Sequence, residues 1–146
     1  MSNYTISKTI ELDYGHTLPN HHSFCSEMHG HRAKVVAYVS GFIDRSEEAS
    51  SEGMVLDFSF LKKVMMEQIH AVLDHGFAVW QHDGEDLEFI LKRNKKVLVT
   101  EMPPTAECLA EWAYKQIVSE IPGQLHLDKV EWWETPNSCA TYMRKY

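Results

Sequence analysis

Several things are scarce in this chain of 146 residues. It has only three cysteines, Cys25, Cys108 and Cys139, an odd number at wide spacing, which speaks against a disulfide framework and suits free thiols in a reducing compartment. No hydrophobic stretch approaches the length of a membrane span, and Met1–Lys8 lacks the apolar core of a signal peptide, so a cytoplasmic protein without membrane partners is expected. Basic charge is short: 14 Lys and Arg stand against 21 Asp and Glu, a net −7. A general nucleic-acid or acidic-membrane binder needs a basic face to displace counterions, so both are excluded as partners, although a local anion pocket is not. Repeats, low-complexity tracts and a convincing domain boundary are also missing.

What is present reads as one domain over residues 1–146, since 44% hydrophobic and 24% charged residues are ordinary for a globular chain. A chain of this length buries about two thirds of its unfolded surface without needing a disulfide or cluster. Ile6, Lys8, Ile10, Leu12, Tyr14 and His16 form an alternating strand run, and Ala33, Val35, Ala37 and Val39 form another. The polar segment 44–53 is a loop, after which Met54-Val55-Leu56 is expected to return as a short strand. Asp57 is a good N-cap for a helix whose apolar face carries Leu61, Val64, Met65, Ile69, Val72 and Leu73, with Lys62, Lys63, Glu67 and His70 opposite and Gly76 as its stop. Residues 77–100 are less legible, with a short helix over Glu85–Lys92, a solvated basic cluster at 92–96 and an apolar run Val97-Leu98-Val99. Pro103-Pro104-Thr105 introduces a second helix with Leu109, Ala113, Ile117 and Ile121 at four-residue steps, and a hairpin around Pro136-Asn137-Ser138 closes the chain. The order is strand, strand, helix, helix, strand, strand, an α+β pattern.

Nine histidines are unevenly placed. His29-Gly30-His31 puts two imidazoles on one face of a strand, and that face continues inward through Ala33 and Val35. His16 ends the earlier alternating run, so antiparallel pairing of the two segments would bring a third imidazole alongside. Three nitrogen ligands describe a catalytic zinc with an open position, and Cys25 as a fourth ligand would instead close a structural His3Cys site in a non-catalytic protein. His21 and His22 lie in the intervening loop and read as exposed.

His16, Cys25-Ser26-Glu27-Met28-His29-Gly30-His31, Asp74-His75, Pro104-Thr105-Ala106-Glu107 and Glu134-Thr135, in this order, resemble the 6-pyruvoyl-tetrahydropterin synthase and 6-carboxytetrahydropterin synthase family. The resemblance covers nearly the whole chain. It implies the tunnelling fold: a four-stranded antiparallel sheet with two helices packed on one face, in subunits that join edge to edge into trimers stacked as hexamers. It also makes His16, His29 and His31 ligands of Zn2+, a Lewis acid for a hydroxylated tail. Cys25 becomes the general base, and Asp74 and His75 the pair that relays its proton. Glu134 is implied as the anchor of the pterin ring, with Thr105 and Glu107 beside the pocket.

Each of these residues also has a structural reading. Thr105 and Glu107 suit an N-cap and a first-turn acid, Asp74-His75 suits a helix end, and Cys25 suits simple burial. Cys108 reads as packing, Cys139 sits at a turn, and Trp132 and Trp133 must point to opposite sides of their strand. The implied substrate is 7,8-dihydroneopterin triphosphate. The Cys-x-x-x-His-Gly-His spacing and compact chain resemble the carboxy synthases of deazapurine (queuosine) synthesis more than the pyruvoyl synthases of tetrahydrobiopterin synthesis. A third branch carries glutamate in place of the cysteine; Cys25 argues against it, while Glu27 nearby keeps it open.

Overall fold

The structure, a computed structural model, describes residues 3–146. The signal-peptide expectation for Met1–Lys8 therefore falls partly on residues 1 and 2, outside the described residues. Strands β1 (Tyr4–His16) and β2 (His29–Gly41) pair antiparallel along their whole length, with Tyr4 opposite Gly41 and His16 opposite His29. The alternation read from the sequence is the burial pattern: Ile10, Leu12, Tyr14, Ala33, Val35, Ala37 and Val39 are buried, while Glu11, Arg32 and Lys34 are exposed.

Met54-Val55-Leu56 does not form the expected strand. Asp44 and Gly53–Met54 close the preceding loop through backbone hydrogen bonds, Asp44 N to Met54 O at 2.8 Å and Gly53 N to Asp44 O at 2.7 Å. That loop consumes the backbone groups a ladder would need, and Val55 and Leu56 pack half-buried against the core instead.

Asp57 caps the next helix as expected, accepting the Ser59 N–H at 2.7 Å. Helix α1 (Phe58–Met65), a π turn over Met66–His70 and α2 (Ala71–Leu73) follow one another without a break. Leu61, Met65, Ile69 and Leu73 are fully buried at four-residue steps. The wide π turn keeps that step on the sheet, and Val72, expected on the apolar face, is turned outward and exposed.

Gly76 opens a strand and is not the helix stop. The left-handed position after the helix is taken by His75 at φ 59°. A Cβ on Gly76 would lie 2.9 Å from the Leu73 carbonyl oxygen and 3.0 Å from the Lys96 Cβ, so close backbone approach is what demands glycine there. Strand β3 (Gly76–Trp80) runs parallel to β1, and after α3 (Gly84–Arg93), β4 (Val97–Thr100) runs parallel to β3. Helix α4 (Ala106–Val118) follows, capped by the Thr105 side chain, and β5 (His126–Thr135) and β6 (Ser138–Met143) form the closing hairpin.

The sheet is therefore six-stranded and mixed, in the order β4-β3-β1-β2-β5-β6, with a third long helix, α3; the expected four-stranded antiparallel sheet with two helices is corrected on both points. The two added strands have five and four residues and carry short apolar runs without alternation; β3 is covered on both faces, while β4, at the sheet edge, leaves Val99 exposed. The main core lies between α1, its continuation and α4 on one side and β1, β2 and β5 on the other. Ala78 belongs to it, while the adjacent Val79 is buried on the opposite side of β3, the strand that α3 contacts.

Candidate active site

The register that pairs His16 with His29 and Tyr14 with His31 gathers three imidazoles at one end of the β1–β2 ladder. One ring nitrogen from each of His16, His29 and His31 lies within 4.8 Å of the others, and among the described residues these three form the group able to hold a metal ion. Two of the rings are oriented from behind. His16 Nδ1 bonds the Pro104 carbonyl at 2.8 Å, and His29 Nδ1 bonds the Glu27 carbonyl at 2.7 Å. A carbonyl only accepts, so each Nδ1 carries the proton and each Nε2 keeps its lone pair.

Those two Nε2 atoms face each other at 2.9 Å, and His31 Nε2 is buried with no hydrogen-bond partner. Converging lone pairs and an orphaned buried nitrogen are unfavourable for bare imidazoles and fit a cation between them. Burial, the largest cause, and the neighbouring His29 hold His16 and His31 below the ordinary imidazole pKa, which favours the neutral, ligating form. Cys25 is not part of this group, so the closed His3Cys arrangement considered from the sequence is not formed.

Glu134 lies beyond Trp133 on β5, where the pairing with β6 shifts register, and its Oε1 sits 3.4 Å from His16 Nε2 and 3.6 Å from His31 Nε2. The strand parity that makes Val130 and Trp132 fully buried thus also turns this carboxylate toward the imidazoles. Tyr14 was legible only as a member of an alternating run, yet it stands at the centre of the site. Its ring packs edge-on to His16, its hydroxyl accepts the Trp132 indole N–H at 3.3 Å, and Trp112 lies behind Trp132. Burial, with the nearby Glu134 charge, pushes the Tyr14 phenol far above its ordinary pKa against the Trp132 hydrogen bond.

Asp74 and His75 form a separate pair on the β3 side of β1. Asp74 Oδ1 accepts the Asp13 N–H at 3.0 Å and Oδ2 accepts the His75 Nδ1–H at 2.7 Å, with His70 Nε2 at 3.6 Å. Burial raises the Asp74 pKa, but the hydrogen bonds from Asp13 and His75 outweigh it and hold the carboxyl below its ordinary range. The left-handed backbone of His75 is uncommon for a non-glycine residue, and it is fixed by a 2.7 Å bond from its N–H to the Asp13 carbonyl.

A cleft of about 570 Å3 joins His75 to His29 and His31, with Met28 and Phe77 also in its wall. A second, of about 520 Å3, holds Glu134, Trp133 and Lys34, and His31 borders both. Cys25 lies half-buried in a 3-10 turn (Phe24–Ser26), which Leu18 N–H to Cys25 O at 2.9 Å and Thr17 Oγ1 to Ser26 O at 2.8 Å tie to the end of β1. It lines neither cleft. Thr105 and Glu107 line a different cavity of about 460 Å3 with Cys108 and Tyr142, where the Thr105 hydroxyl caps α4 and Glu107 is exposed. The Pro104 carbonyl, bonded to His16 Nδ1, links that helix start to the three-histidine group.

The mixed sheet presents an open histidine trio with an Asp–His pair beside a shared cleft, and comparison with known proteins places the chain among lyase-type enzymes that act on pterins. A family model described as 6-pyruvoyl tetrahydropterin synthase matches residues 5–145, and the chain belongs to that family. A 6-carboxy-5,6,7,8-tetrahydropterin synthase of Haemophilus influenzae is 30% identical over 142 residues, 95% of this chain and 98% of the relative. One of the same name from Synechocystis is 32% identical over 141 residues, 95% and 92% of the two chains. An uncharacterized protein of Wolinella succinogenes superposes with a TM-score of 0.82 at 25% identity, covering 99% of this chain and all of the other. The 6-pyruvoyl tetrahydropterin synthase of Caenorhabditis elegans shares the fold with a TM-score of 0.71 at 23% identity, over 99% and 98% of the chains. Among the described residues no helix is long and apolar enough to cross a membrane.

Proposed function

We propose that this enzyme converts 7,8-dihydroneopterin triphosphate and water to 6-carboxy-5,6,7,8-tetrahydropterin, triphosphate and acetaldehyde, a step toward deazapurines such as queuosine. The observation that carries the reading is the trio of His16, His29 and His31, with lone pairs converging and no fourth side chain in the group. Three imidazoles suit zinc, and an open position is what a substrate needs. A bound zinc would supply Lewis acidity to the oxygens of the substrate's hydroxylated tail.

The chain's own groups divide the remaining work. The Glu134 carboxylate accepts hydrogen bonds from the N–H edge of the aminopyrimidinone ring, with Thr105 and Glu107 in supporting contact. The Cys25 thiolate takes a proton from a tail carbon. His75, whose Nδ1–H is committed to Asp74, has Nε2 left to accept and return protons. The carboxy product is favoured over the pyruvoyl alternative because the relatives near 30% identity carry the carboxy synthase name, whereas the similarity to the nematode pyruvoyl synthase structure extends to the fold.

The same reading makes the whole chain one cytoplasmic domain assembled into a hexamer, which the three free thiols and two open sheet edges support. The decisive experiment incubates purified, zinc-loaded protein with 7,8-dihydroneopterin triphosphate and identifies the products by mass. Carboxytetrahydropterin with acetaldehyde is expected, and a retained three-carbon tail would favour the pyruvoyl alternative. His31→Ala should remove metal and turnover together, and full zinc occupancy in that variant would take His31 out of the ligand set.

A further inference from the structure

The Asp74–His75 pair stands on a strained backbone. His75 has a left-handed φ of 59°, and Asp74, which ends the preceding helix, has an extended ψ of 128°. Turning over the peptide between them would carry Asp74 to right-handed helical values and His75 to a negative φ, so the strained form persists only while that peptide is pinned. Both of its polar atoms are held. Its N–H donates to the Asp13 carbonyl on β1 at 2.7 Å, and its C=O accepts a hydrogen bond at 3.0 Å from the ammonium of Lys96, the residue before β4.

Lys96 grips the same turn again through its backbone. Its carbonyl accepts the Phe77 N–H at 3.1 Å, and a Cβ added to Gly76 would come within 3.0 Å of the Lys96 Cβ and 3.1 Å of its carbonyl oxygen. Within the basic cluster at 92–96, Lys92 pairs with Glu88 at 2.8 Å on its own helix, whereas the Lys96 ammonium crosses to the end of the α1–α2 helix. Positive charge is favoured at that carbonyl end. Lys96 lines neither the cleft of His75, His29 and His31 nor that of Glu134, so its route to the site runs through the peptide.

We propose that Lys96 is a positioning residue: with the Asp13 carbonyl it locks the Asp74–His75 peptide and so holds the His75 imidazole at the cleft it shares with His29 and His31. The inference rests on the reading of His75 as the proton carrier and extends it to a residue that touches no substrate. With the peptide plane fixed from two sides, the Asp74 carboxylate and the His75 Nδ1–H keep their 2.7 Å bond in one orientation, and Nε2 is aimed with them. The β3–α3–β4 segment thereby acquires a role at the site, since it delivers Lys96 to the back of the pair.

Hydrogen exchange of zinc-loaded protein, followed by mass spectrometry, reads the lock directly. Lys96→Met keeps the aliphatic stem and removes the ammonium. The His75 amide should exchange about tenfold faster in this variant, with the β1–β2 ladder unchanged. In turnover of 7,8-dihydroneopterin triphosphate, kcat should fall about tenfold while KM, zinc content and affinity for neopterin, a pterin without the triphosphate, stay within about twofold. Lys96→Arg, which can still donate to the carbonyl, should recover most of both effects. In a His75→Ala background, Lys96→Met should lower kcat by less than about twofold further. Unchanged exchange at His75 overturns the proposal. So does a raised KM with kcat intact, which would make the ammonium a ligand of the triphosphate, and so does an equal loss in both backgrounds, which would mean that Lys96 acts without His75. If His75→Ala turns over like the parent, the proton-carrier reading fails, an outcome distinct from failure of the lock because exchange reports the lock without turnover.

Discussion

At the scale of single residues, the site divides into groups whose chemistry is set by what they donate to. His16 and His29 donate through Nδ1 to backbone carbonyls and so present Nε2 to a metal, while His75 donates through Nδ1 to Asp74 and keeps Nε2 for protons. In the proposed roles the same side chain is a ligand in one place and a proton carrier in the other because its neighbours differ. Cys25 stands apart, outside both the trio and the two clefts around it, in a turn anchored to β1 through two hydrogen bonds. In its proposed role as general base, Cys25 serves rate and not the holding of the metal or the ring. Cys25→Ala should therefore retain zinc and neopterin affinity while turnover falls about a hundredfold or more, the scale of a lost general base. Near-normal turnover in single-turnover assays of this variant would remove Cys25 from the chemistry.

At the scale of elements, β5 is double-sided, and its two faces carry different polar systems. Val130, Trp132 and Glu134 face the core and the trio. On the opposite face the Glu131 carboxylate accepts from Lys129 at 2.9 Å, Trp133 at 3.0 Å and Tyr38 at 3.1 Å, and it is itself buried. Burial raises the Glu131 pKa, but the hydrogen bonds from Lys129, Trp133 and Tyr38 outweigh it and leave the group below its ordinary value of 4.5. A carboxyl with a depressed folded pKa contributes stability that is fully present above the unfolded value and is lost as pH falls through the folded one. In metal-free protein, where the trio's metal does not complicate the titration, melting temperature should drop as pH is lowered below about 4.5. Glu131→Gln should have a lower melting temperature at neutral pH and a shallower acid limb. Parallel acid limbs for parent and variant, measured by circular dichroism, would show that this network does not couple to protons.

At the scale of the whole molecule, the sheet ends in two edge strands, β4 and β6, whose outer backbone groups have no partner strand among the described residues. The site is equally open: Glu134, His75 and the Thr105–Glu107 helix start border three different cavities, with the first two meeting at His31. Edge-to-edge assembly would pair the strands and bring further walls to these clefts. Light scattering should give a mass several times the 16.9 kDa of one chain, near six copies. A monomer that turns over substrate would contradict the hexamer.

The sequence alone determined what depends on strict local periodicity. In β1 and β2 the period-two alternation places His16, His29 and His31 on the core face, and in α1 and α4 the Asp57 and Thr105 caps and four-residue apolar steps mark the helices. Where local signals are short or compete, only the tertiary structure decided the outcome. Strands β3 and β4, five and four residues of mostly apolar sequence, are too short and too uniform to show an alternation. The 54–56 strand was lost to a loop whose backbone bonds close on themselves, and Val72 was turned out by a π turn that no propensity announces. The distance from Tyr14 to Trp132 spans 118 residues of sequence, and that from His16 to Pro104 spans 88. Contacts at such separations follow from register and packing across the sheet, so the metal-binding residues were legible as a pattern, while the groups that orient them and the carboxylate beside them became visible only in the folded chain.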